Sequence, residues 1–93
     1  MTASVETLAR ELGRYASEQG GEFVLFGSAA RGELRYDSDV DILVDFPDPA
    51  VDQAIRFAEE RARALGLELD LRPKSWTGAR LRERIAREGR PLS

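Results

Sequence analysis

Val5, Leu8, Leu12 and Tyr15 recur at helical spacing near the start of the chain. With Ser4 available as a cap and Gly20-Gly21 as a stop, this stripe predicts an amphipathic helix over residues 4–18. Glu22-Phe23-Val24-Leu25-Phe26 is a nearly continuous apolar run, the pattern of a short buried strand. It ends at Gly27-Ser28. Residues 28–38 hold no strand pattern, and a short helical turn near Ser28 fits them. Val40, Ile42, Val44 and Phe46 then alternate with Asp39, Asp41, Leu43 and Asp45, which predicts a strand with one greasy face and one largely acidic face. Pro47-Asp48-Pro49 breaks that strand. Asp48 can cap a following helix with Pro49 at its first position, and Val51, Ile55, Ala58, Ala62 and Leu65 supply its core stripe before Gly66. Leu67, Leu69 and Leu71 alternate with Glu68, Asp70 and Arg72 as another strand ended by Pro73. Residues 77–88, with Leu81 and Ile85 inward, predict a last helix stopped by Gly89 and Pro91.

Helix, strand, turn, strand, helix, strand, helix describes a small α/β fold. One layer of helices against a three- or four-stranded sheet is the expected architecture. The 93 residues are enough for one domain, 1–93, near the lower end of what one core supports. A composition of 42% hydrophobic and 33% charged residues is that of a globular chain, not a disordered one. The N-terminus carries no signal-peptide pattern and no apolar run approaches membrane-spanning length, so a cytoplasmic protein without membrane contact is expected. The net charge of −3 argues for neither a nucleic-acid coat nor a membrane binder. The charge is uneven, however: from Arg72 onward seven basic residues face two acidic ones.

Histidine and cysteine are both absent. Disulfides and thiolate metal sites are thereby excluded, and any catalysis rests on carboxylates, hydroxyls or arginine. Three features offer such chemistry. Gly27-Ser28, at a strand end before a helical turn, lets the backbone approach a ligand and offers N–H groups and a hydroxyl to an anion, although a plain turn has the same appearance. Asp39 and Asp41, two apart on a strand, lean to the same side about 6.6 Å apart at the Cα atoms. Like charges so placed repel unless a cation neutralises them, and oxygen-only ligands select a hard ion such as magnesium. The alternative is two solvated aspartates. Asp70 falls on the same face if the two strands are neighbours, with Glu68 as its rival.

Gly27-Ser28, ten residues, then Asp39-Val40-Asp41 resembles the signature of the polymerase-β-like nucleotidyltransferases. The wider stretch Gly27-Ser28-Ala29-Ala30-Arg31-Gly32 through Asp37-Ser38-Asp39-Val40-Asp41-Ile42-Leu43-Val44 is similar to the minimal nucleotidyltransferase (MNT) group, as is the ending around Leu81–Ile85 and Gly89–Leu92. The resemblance implies a mixed sheet with flanking helices. It implies that Gly27 and Ser28 hold the nucleotide phosphates, and that Asp39, Asp41 and Asp70 bind magnesium, two ions in all, and carry catalysis. Arg31 and Ser38 are further candidates for nucleotide contacts, with Arg35 behind them. The implied donor is ATP. Larger relatives bind the acceptor with an extra domain that is not legible here, so the acceptor is expected from a partner. In the MNT group that partner is a HEPN-family toxin, a helical ribonuclease whose tyrosine receives AMP from the antitoxin. Direct binding of nucleic acid is not expected. The basic last helix with Trp76 nearby is a candidate docking surface, unless Trp76 packs on the sheet and the arginines are merely solvated. The rival readings are a module that neutralises its partner by contact without catalysis, a transferase acting on a small molecule such as an aminoglycoside, and a structural protein.

Overall fold

The computed structural model describes residues 3–27 and 40–92. The first helix, α1, spans Ala3–Gln19, and its Val5, Leu8, Leu12 and Ala16 are buried. Strand β1, Glu22–Phe26, pairs antiparallel with β2, Val40–Asp45. Helix α2, Asp48–Ala64, then carries the chain back, so that β3, Leu69–Pro73, lies parallel to β2. Parallel neighbours require a crossover of this kind. A 3-10 turn, Lys74–Trp76, leads to α3, Ala79–Glu88, and to a two-residue strand, β4, Arg90–Pro91, antiparallel to β1. The sheet is mixed, in the order β3-β2-β1-β4.

Phe23, Leu25, Val40, Ile42 and Val44 face α1 and α2 and form the main core with Leu8, Leu12, Ala54, Ala58 and Ala62. Tyr15 of α1 stacks on Phe57 of α2 with ring centroids 4.2 Å apart. Arg61 of α2 forks onto the Glu11 carboxylate of α1, tying the two helices at their outer edge. A smaller cluster, Phe26, Leu43 and Ile85 with Val24 and Leu81, lies on the opposite face of the sheet.

The helices therefore cover both faces, not one. The reason is visible in β1: its unbroken apolar run supplies side chains to each side, and Leu43 breaks the acidic alternation of β2 to receive α3. Other boundaries shift for local reasons. Pro47, not Asp48, is the N-cap of α2; it has no side-chain acceptor, and Asp48 sits in the first turn, where a negative charge suits the helix dipole. Ala54 joins Ala58 and Ala62 as the fully buried stripe of α2, while Val51, Ile55 and Leu65 are half-buried at its sides. Strand β3 begins at Leu69 and includes Pro73, which an edge strand tolerates because no neighbour needs its missing N–H. Among the described residues no helix is long and apolar enough to cross a membrane.

Candidate functional site

Alternation along β2 sends Val40, Ile42 and Val44 into the main core, which leaves Asp41, Leu43 and Asp45 on the α3 side. On β3 the same rule sends Leu69 and Leu71 to the core and Asp70 and Arg72 to the α3 side. The register then does the rest: Asp41 stands directly beside Asp70, and Phe26 is Asp41's partner on β1. Neighbouring strands are about 4.8 Å apart, so the two carboxylates rise from adjacent points of one sheet face. Glu68 is not the partner of Asp41. It precedes β3, is exposed, and lines a groove of about 430 Å³ beside Glu59 and Arg63 of α2.

Gly27 closes the row. Its φ is +73°, in the left-handed region, and a Cβ there would meet Oδ2 of Asp41 at 2.5 Å. A side chain at this position is thus opposed twice, by the backbone conformation and by the carboxylate lying over the turn. The close approach seen at this glycine is that of the Asp41 carboxylate to the β1 turn. Ser28, Arg31, Arg35, Ser38 and Asp39 lie outside the described residues, and among the described residues no group of three or more potential metal ligands comes together.

Cations sit among these acids. Arg72 donates from Nη2 to Oδ2 of Asp70 at 3.3 Å, with side chains 51% and 39% exposed respectively. Lys74 donates to Asp45 at 3.3 Å farther along the same face. The alternation of Glu68, Asp70 and Arg72 already sets Arg72 on the polar face of the strand; its pairing with the Asp70 carboxylate is not legible there.

The donor set suits a hard cation. Without histidine or cysteine the chain offers oxygen ligands, here the carboxylates of Asp41 and Asp70, and like charges placed directly opposite on a sheet destabilise it unless neutralised. The profile of the nucleotidyltransferase domain matches residues 5–93. The chain belongs to that family. It is 43% identical over 68 residues to the protein adenylyltransferase MntA of Thermococcus cleftensis, covering 72% of this chain and 69% of the relative. A solved structure described as a minimal nucleotidyltransferase superposes with a TM-score of 0.78 at 30% identity, over 95% of this chain and 92% of the other. A toxin–antitoxin crystal structure with AMP-PNP superposes with a TM-score of 0.68 at 26% identity, over 95% and 72% respectively.

In this nucleotidyltransferase the Asp41–Asp70 row opens toward a cleft of about 340 Å³ between β3 and the start of α3, with Asp70 as a shared wall. Trp76 stands at that cleft, 84% exposed. It does not pack on the sheet.

Proposed function

We propose that this nucleotidyltransferase transfers AMP from ATP to a hydroxyl of a partner protein, with magnesium as cofactor, as the antitoxin of a toxin–antitoxin pair. The observation that carries the reading is the in-register pair Asp41 and Asp70 beside the Gly27 turn. In the reaction the acceptor oxygen bonds to the α-phosphorus, the bond from that phosphorus to the β-bridging oxygen breaks, and pyrophosphate leaves. Bound magnesium would neutralise the triphosphate and make the attacking hydroxyl more acidic. Asp39 and Asp41 would hold it together with Asp70.

Every other task falls to the chain. The Gly27-Ser28 turn would cradle the phosphates with backbone N–H groups and the serine hydroxyl. Arg31 and Ser38 would contact the nucleotide. Asp70, on the edge strand and facing the open cleft, would orient the acceptor hydroxyl and receive its proton. In-line positioning of this kind supplies much of the rate in phosphoryl chemistry, where little covalent work is asked of the protein. The acceptor we propose is a tyrosine of a HEPN-family toxin, as the resemblance to the MNT group implies; the adenylyltransferase relative and the toxin–antitoxin neighbour support the coarser reading of a protein acceptor and a toxin partner.

The test is incubation of the chain and the purified toxin with ATP labelled at the α-phosphate and magnesium. Label on the toxin that is lost in Asp39→Asn and Asp70→Asn supports transfer. Tight binding of the toxin with no label supports neutralisation by contact instead.

A further inference from the structure

The Trp76 cleft has features that the transfer chemistry alone does not require. The tryptophan sits on a clamped turn, not on a loose loop. The Thr77 N–H donates to the Lys74 carbonyl at 3.1 Å, and the buried Thr77 hydroxyl donates to the Pro73 carbonyl at 3.0 Å. Pro73 is itself buried in β3. The backbone turn that carries the indole is thus fixed by two hydrogen bonds and a proline. Among the described residues Trp76 is the large hydrophobic side chain left exposed, and tryptophan is one of the residue types that most often carry the binding energy of an interface.

Charge separates this end of the molecule from the remainder. Up to Leu71 seven basic residues face fifteen acidic ones, a balance of −8, while from Arg72 onward seven face two, a balance of +5; together they give −3. Arg80, Arg84 and Arg87 fall at i, i+4 and i+7, which places them in one exposed stripe of α3. The helix begins at the cleft, whose lining includes Asp70, Pro73, Trp76, Thr77, Gly78 and Leu81.

We infer that this cleft is the docking site of the acceptor protein, that the Trp76 indole is its anchor, and that the partner surface meeting the α3 arginines is acidic. The inference rests on the transfer reading for the identity of the occupant. Its geometry follows from Asp70, which belongs at once to the acidic row and to the cleft wall, so a protein seated on Trp76 stands within a side chain's reach of the site. An RNA occupant is disfavoured by the same residue: a phosphate backbone in the cleft would run against Asp70, with Asp41 and Asp45 on the same sheet face.

Binding is measured by calorimetry with the full chain and the purified HEPN-family toxin as probe, and followed by the fluorescence of Trp76, the chain's sole tryptophan. Trp76→Ala is expected to weaken toxin binding roughly thirtyfold or more, the scale of an aromatic anchor at an interface. It should leave the melting temperature and the affinity for a fluorescent ATP analogue unchanged. The triple reversal Arg80→Glu, Arg84→Glu, Arg87→Glu is expected to weaken binding and to flatten its salt dependence. Toxin affinity unchanged in both variants, no binding by the wild type, or displacement of the toxin by a short RNA in proportion to RNA binding would overturn the inference. Unlabelled toxin that still binds through Trp76 would overturn transfer while leaving the docking site standing.

Discussion

Replacing Gly27 by alanine separates two effects that the structure superimposes there. The backbone at Gly27 has a φ of +73°, and an L-residue in the left-handed region costs about 1–2 kcal/mol. Gly66 has a φ of +71° with nothing within 4 Å of a Cβ, so Gly66→Ala measures the backbone cost alone. Gly27→Ala adds a methyl carbon 2.5 Å from the Asp41 carboxylate. That carboxylate is the end of a side chain, and it can swing away at little expense to the fold. Both variants should therefore lose a similar stability, with each kcal/mol lowering the melting temperature by roughly 4–8 °C in a domain of this size. Only Gly27→Ala should also move Asp41 out of the point it shares with Asp70, which would weaken manganese binding on the order of tenfold, the scale seen when the support of a metal ligand is disturbed. Thermal melts in chelator and calorimetric titration with manganese read the two effects. The reasoning fails if Gly27→Ala binds manganese as the wild type does, or if Gly66→Ala loses the metal equally.

Asp41→Asn should abolish labelling of the acceptor and the rise in melting temperature given by magnesium with ATP; a rise that persists in the variant would refute the role given to Asp41. Arg72→Gln removes the guanidinium that donates to Asp70 and should tighten manganese binding about two- to fivefold, the range of an exposed ion pair; weaker binding would refute competition between the two cations. The fork from Arg61 holds the Glu11 carboxyl below its ordinary value of 4.5, so its contribution to stability is present above that pH and fades as the pH falls through the lowered value. Glu11→Gln should accordingly melt below the wild type at pH 7, and the gap should narrow as the pH falls below 4.5 and through the lowered value. A gap that persists or widens in acid would contradict the assignment.

The sequence was most informative where period and chemistry agreed. Val40, Ile42 and Val44 against Asp41 and Asp45 stated both the strand and its polar face, and Leu69, Asp70 and Leu71 did the same for β3. What no period could state was register. Whether Asp70 or Glu68 stands beside Asp41 depends on how far α2 carries the chain before β3 begins, and that is settled by tertiary packing of Ala54, Ala58 and Ala62 against the sheet. The second helical layer was hidden for a similar reason: Val24, Phe26 and Leu43 read as parts of strands already explained, and only their meeting with Ile85 reveals the second face. Strand β4 is two residues long and contains a proline, too short to leave any pattern at all.

The central claim is that Asp41 and Asp70 share a divalent ion beside Gly27. Crystals of the chain grown with manganese and a non-hydrolysable ATP analogue, measured at a wavelength where manganese scatters anomalously, address it directly. The account predicts an anomalous peak bonded to oxygens of both Asp41 and Asp70, with the triphosphate against the Gly27 turn. A nucleotide bound with no peak between those two carboxylates would contradict it.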